Sequence, residues 1–121
     1  MSRATETHDA TTALSALAHA GRLEVFRLLV RAGADGLAAG EIARATGSLS
    51  NTLSTNLSIL AAAGLVTSRR DGRSIIYAVG YDRMRELLAF LVEDCCAGKP
   101  EICAPLAEIA SRSCVAEASS C

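Results

Sequence analysis

Cysteine is absent from the first 92 residues of this 121-residue chain, and tryptophan is absent throughout. Only four residues are aromatic, so the apolar half of the sequence is mostly Ala, Leu, Ile and Val, which suits small helices packed closely. No apolar run approaches the roughly 18 to 20 residues of a membrane span. The N-terminus, Met1-Ser2-Arg3-Ala4-Thr5-Glu6-Thr7-His8-Asp9, lacks the apolar core of a secretory signal. These absences point to a cytoplasmic protein with no membrane partner. There is no Cys-x-x-Cys, no histidine near any cysteine and no phosphate-cradling loop, which argues against a thiol enzyme. No internal repeat is present, and the length fits a single modest core.

The cysteines that do occur are concentrated. All five lie in the last 27 residues, and three of them, Cys95, Cys96 and Cys103, fall within nine. A disulfide framework would spread an even number through the fold to staple it. A thiol cluster appended to a cysteine-free region reads instead as a metal-ligand or redox-sensing site. The chain accordingly divides into a folded unit, 1–93, and a cysteine-containing sensing segment with its tail, 94–121.

Net charge is small, at −1, but the charges are unevenly placed. Residues 1–43 hold four bases against five acids, and residues 86–121 hold Lys99 and Arg112 against six acids. Between them, Arg44, Arg69, Arg70, Arg73, Arg83 and Arg85 face only Asp71 and Asp82. A local, arginine-only zone of this kind is what a phosphate-contacting face needs.

Periodicity supplies the elements. Asp9 or Thr11 is placed to cap a first helix through Leu14, Leu17 and Ala18, interrupted at Gly21. A second helix carries Leu23, Phe26, Leu28, Leu29 and Val30 and ends at Gly33-Ala34-Asp35-Gly36. A short third helix covers 37–46 and stops at Gly47. Ser48 and Ser50 are cap candidates for a fourth, with Leu53, Leu57, Leu60 and Ala61 on its apolar face and Gly64 as its stop. The period then changes to two, and residues 65–79 read as a hairpin around Asp71-Gly72. A last helix begins near Tyr81-Asp82, with Met84, Leu87, Leu88, Leu91 and Val92 on one face. The expected class is mainly α with a small β-hairpin (α+β).

Two short helices meeting at Gly47, followed at once by an arginine-bearing hairpin, have the order of a winged helix-turn-helix. On the fourth helix, Ser50, Asn51, Thr52, Ser54, Thr55 and Asn56 supply small polar side chains opposite the leucines. Asn pairs with adenine in the major groove, and Ser or Thr reaches bases or phosphates. Arg69, Arg70 and Arg73 flank the hairpin tip, placed to grip phosphates or enter a minor groove. His19 is read as a capping or packing residue.

Over roughly residues 10–93 the chain resembles the ArsR/SmtB family of winged-helix metal-sensing repressors. The likeness is carried by Leu17-Ala18-His19-Ala20-Gly21-Arg22-Leu23 and Gly40-Glu41-Ile42-Ala43. It continues in Leu57-Ser58-Ile59-Leu60-Ala61-Ala62-Ala63-Gly64-Leu65-Val66 and Arg70-Asp71-Gly72-Arg73-Ser74-Ile75-Ile76-Tyr77. The resemblance implies a homodimer built from the first and last helices, placing Leu14, Leu17, Met84, Leu87, Leu88 and Leu91 at its interface. It also implies binding to double-stranded operator DNA and release when a ligand binds. One departure is Thr55-Asn56, where many members carry His-His or Arg-His.

Family members hold ligands in several places. The Cys-x-Cys site of the first motif helix is absent here, because that region is Leu37-Ala38-Ala39-Gly40-Glu41-Ile42. With only His8 and His19, both far upstream, a histidine-based zinc site on the last helix is also disfavoured. Cys95, Cys96 and Cys103 remain, a histidine-free set suited to a soft ion. Three thiolates suit As(III) or Sb(III), whereas Zn(II) would want a fourth ligand, such as Cys114 or Cys121. Some arsenic-responsive members resemble this chain in carrying a vicinal Cys-Cys plus a third cysteine at the end of the last helix, which favours As(III) as inducer. Methylarsenite held by two sulfurs, a Cd(II), Pb(II) or Hg(II) sensor and a thiol-redox sensor stay open as alternatives.

Overall fold

The computed structural model describes residues 3–92, with side-chain surroundings from residue 7 onward. The expected sensing segment, with Cys95, Cys96 and Cys103, lies outside the described residues. Helix α1 runs Arg3–Leu17 and α2 Ala20–Ala32, followed by a 3-10 turn at Gly33–Asp35. Strand β1 (Leu37–Ala38), α3 (Ala39–Thr46) and α4 (Ser50–Ala62) come next. Strands β2 (Val66–Asp71) and β3 (Ser74–Val79) form the hairpin, and α5 spans Tyr81–Val92. The sheet is antiparallel with order β1-β3-β2. Among the described residues no helix is long and apolar enough to cross a membrane.

Helix α1 starts earlier than its sequence cap signals imply. The hydroxyls of Thr11 and Thr12 donate to the carbonyls of Thr7 and His8 four residues back, which is mid-helix behaviour rather than capping. Its inward stripe is Ala10, Ala13 and Ala16, all buried, and these small side chains let it sit against α2, α4 and α5. The break before α2 falls at Ala18-His19 rather than at Gly21. The His19 Nδ1 accepts from the N–H groups of Gly21 (3.1 Å) and Arg22 (3.4 Å), which satisfies donors that the first helical turn leaves orphaned. The Arg22 Nε donates to the Ala16 carbonyl at 2.6 Å, closing the end of α1.

The third helix begins two residues later than its apolar pattern suggests. Leu37 and Ala38 instead pair with Tyr77 and Ile76 of β3, so the hairpin gains a third strand. Gly36 makes this approach possible. Its φ is +72°, and a Cβ there would sit 2.3 Å from the Tyr77 carbonyl oxygen. Glu41 then accepts from the Ala38 N–H at 3.0 Å, half of a capping box that starts α3.

The core lies where α2, α3, α4 and the root of the hairpin meet, with Val25, Leu29, Ile42, Leu60 and Leu65 fully enclosed. Each such side chain contributes about 1.5–3 kcal/mol on leaving water. The hairpin is held at its base by a close crossing of two loops. Gly80 donates to the Leu65 carbonyl at 2.7 Å, and a Cβ on Gly80 would lie 2.2 Å from the Gly64 carbonyl oxygen.

Candidate nucleic-acid interface

Helices α3 and α4 form the two arms of a helix-turn-helix. Gly47 closes α3 with a left-handed φ of +69° and donates to the Ala43 carbonyl at 2.8 Å. The Thr46 hydroxyl donates to the Ile42 carbonyl and accepts from the Ser48 hydroxyl at 2.8 Å, and the N-cap of α4 falls one residue beyond Ser48. Ser50 is the first helical residue, and Leu49 takes the N-cap position with no side-chain hydrogen bond.

On α4, Leu53, Leu57 and Leu60 point into the core as their spacing requires, whereas Ala61 is exposed. Ser50, Asn51, Thr52, Ser54 and Thr55 are exposed on the outer face. Within that row the Thr55 hydroxyl donates to the Asn51 carbonyl at 3.0 Å. The Asn51 Oδ1 accepts from the Thr52 N–H at 2.9 Å, and the residue is exposed. Asn56 does not join them. It is 6% exposed, and its Nδ2 lies 3.2 Å from where a Cβ on Gly21 would be. The reason is its position: Asn56 sits three residues after Leu53 and four before Leu60, on the buried stripe. It is a packing residue against the first turn of α2 and leaves the DNA-reading set.

The wing pairs Asp71 with Ser74, so its two-residue turn is Gly72-Arg73, one residue later than the Asp-Gly signal suggests. Gly72 supplies the positive φ of +63° that a tight turn of this kind uses. Its arginines divide into two roles. Arg69 reaches back across β3 and donates to the Asp35 carbonyl at 2.8 Å, tying the hairpin to the segment before β1. Arg70 and Arg73 are exposed, and among the described residues neither has an ion-pair partner. Two other members of the basic zone are neutralised locally. Arg83 lies 3.5 Å from Asp9 and 3.6 Å from Glu86, and Arg85 pairs with Asp82. Within the basic zone, among the described residues, Arg44, Arg70 and Arg73 carry neither an ion pair nor the carbonyl bond that holds Arg69 in place.

The expected dimer residues also separate. Leu88 and Leu91 are 52% and 49% exposed on α5, and Leu14 is exposed on the adjacent α1. Leu17 and Met84 are half-buried against the protomer's own core. Leu87, expected at the interface, is a correction. It is 6% exposed inside the protomer, because one residue along a helix turns the side chain by about 100° from Leu88. Val92 extends the exposed apolar face one position beyond the expected set. Among the described residues no three His, Cys, Asp or Glu side chains gather closely enough to hold a metal ion.

Comparison with known proteins agrees with this architecture. Residues 17–69 match a family model described as a helix-turn-helix domain. The HTH-type transcriptional regulator YgaV of Escherichia coli is 31% identical over 83 residues, which cover 69% of this chain and 82% of YgaV. A homodimeric winged helix-turn-helix DNA-binding domain of Mycobacterium bovis, a possible ArsR-family regulator, is 32% identical with a TM-score of 0.61. That match covers 78% of this chain and 88% of the other. The reduced form of HlyU from Vibrio cholerae is 27% identical with a TM-score of 0.57, covering 72% of this chain and 92% of HlyU. With its helix-turn-helix, its wing and a relative it spans over four fifths, the chain belongs to the ArsR-like winged helix-turn-helix transcriptional regulators.

Proposed function

We propose that this regulator is a homodimeric repressor that binds double-stranded operator DNA and releases it when trivalent arsenic binds a thiolate site. The observation that carries the DNA half is the exposed polar row Ser50, Asn51, Thr52, Ser54 and Thr55 on α4, accompanied by the two unpaired wing arginines, Arg70 and Arg73. Side chains in the row read base edges, while the arginines hold phosphates and fix register. Dimerisation through the apolar faces of α1 and α5 would place two such reading heads about one helical turn apart, roughly 34 Å.

The sensing half rests on the donor set, Cys95, Cys96 and Cys103. These follow α5 directly in sequence and contain no histidine. Bound As(III) would take three sulfurs and draw the chain after α5 together. Because α5 also carries the exposed Leu88 and Leu91, a change at its end acts on the spacing of the heads. A coupling of about 1–3 kcal/mol lowers DNA affinity some 5- to 150-fold. Sb(III) and methylarsenite share this thiol chemistry. Residues 1–93 thus serve DNA and dimer, and 94–121 the inducer, in a reducing cytoplasm that keeps the thiols free.

A second reading is a thiol-redox sensor of the same fold. It is favoured by the clustered cysteines and by the neighbour HlyU having been solved in a reduced form. Titrating an operator complex with As(III), Sb(III), methylarsenite, Cd(II) and Zn(II) under full reduction, followed by fluorescence anisotropy, separates the two. Arsenite should release the wild-type protein, while Cys95→Ser, Cys96→Ser and Cys103→Ser bind DNA normally but stay bound. Release of all three variants by arsenite would remove this thiol site. Release only by oxidant would install the redox reading.

A further inference from the structure

Leu49 breaks two local rules at once. It is the most exposed large apolar side chain among the described residues, at 73%. It also occupies the N-cap of α4, where Ser, Thr, Asp or Asn is favoured because a side-chain oxygen satisfies the orphaned N–H groups. Leucine cannot supply that bond. Polar neighbours on both sides, Ser48 and Ser50, would serve as caps in a register shifted by one residue, yet the Ser48 hydroxyl is drawn to Thr46. A residue that sacrifices both a cap and apolar burial is expected where function overrides local preference.

The position suggests the function. In a helix-turn-helix the N-terminal residues of the second helix are the ones that contact base edges. The only apolar group that a base presents in the major groove is the thymine C5-methyl. We infer that Leu49 is a specificity-determining residue that packs against the methyl of a thymine in each half-site, beside the hydrogen-bonding row that begins at Ser50. The inference rests on α4 being the DNA-reading helix.

The test uses the full-length protein and an operator selected by it from a random duplex library. Each thymine is replaced in turn by deoxyuridine, which removes only the methyl. One position per half-site should cost wild-type protein about fourfold in affinity, the value of one buried methylene-sized contact. Leu49→Ser should be indifferent at that position, while gaining thermal stability from the restored cap. A structural role would give the opposite sign, with Leu49→Ser losing stability. If deoxyuridine affects wild type and Leu49→Ser equally at every thymine, or if Leu49→Ser alters the oligomeric state, the inference fails while DNA reading by α4 stands. If no duplex is enriched, both fail.

Discussion

At the residue scale, two asparagines on one helix illustrate how position overrides chemistry. Asn51 and Asn56 carry the same amide, yet one is exposed on the outer face of α4 and the other is buried against Gly21. Asn51→Ala should lower affinity for the preferred operator by about 1–3 kcal/mol with an unchanged melting temperature. Asn56→Ala should do the reverse, destabilising the fold by about 1–2 kcal/mol with base preference intact. Parallel binding selection and thermal melts on the two variants check both signs. Had the helical stripe through Leu53, Leu57 and Leu60 been extended to every position it covers, Asn56 would have been recognisable as buried from sequence. Its polarity concealed it.

At the scale of elements, the hairpin was readable because alternation, an Asp-Gly signal and a flanking Gly all act locally. The third strand was not. Leu37-Ala38 is too short to show a period, and only its pairing with Tyr77 and Ile76, far along the chain, makes it a strand. The same distance effect hid the division among the wing arginines. Sequence shows three similar side chains, whereas the fold turns Arg69 back onto the Asp35 carbonyl. Arg70→Ala and Arg73→Ala should each weaken binding almost uniformly across DNA sequences and reduce the salt dependence by about one phosphate contact. Arg69→Ala should leave the salt slope nearly unchanged and act instead on hairpin order, measurable as faster amide exchange in β2. Equal slopes for all three variants would contradict this division.

At the scale of the whole molecule, the apolar side chains of α5 serve two masters. Leu87 belongs to the protomer core, and Leu88 with Leu91 to a face that is about half exposed among the described residues. Periodicity assigns all three to one broad stripe, and only the packing of α1 against α5 shows where the stripe splits. Paired Leu88→Glu and Leu91→Glu changes should give a folded monomer by sedimentation, with operator binding largely lost. Leu87→Ala should keep the dimer's surface but cost about 2–5 kcal/mol of stability. If the Glu pair remained dimeric, the α1–α5 face would not be the interface. The proposed inducer site, Cys95, Cys96 and Cys103, lies outside the described residues and rests on cysteine clustering and the family resemblance, both visible without a fold.

The crossing of Gly64 and Gly80 gives the molecule a mechanical property. The N–H of Gly80 holds the start of β2 through Leu65, and its carbonyl accepts from Met84 in the first turn of α5. The hairpin and α5 therefore share one pivot. Each wing strand has six residues, so the tip stands about 20 Å from that pivot. A tilt of about 5° in α5, were it carried through rigidly, would sweep the tip by about 2 Å, against the roughly half-ångström spread of hydrogen-bond lengths. The lever is long enough that a disturbance too slight to repack the core would still displace the wing tip.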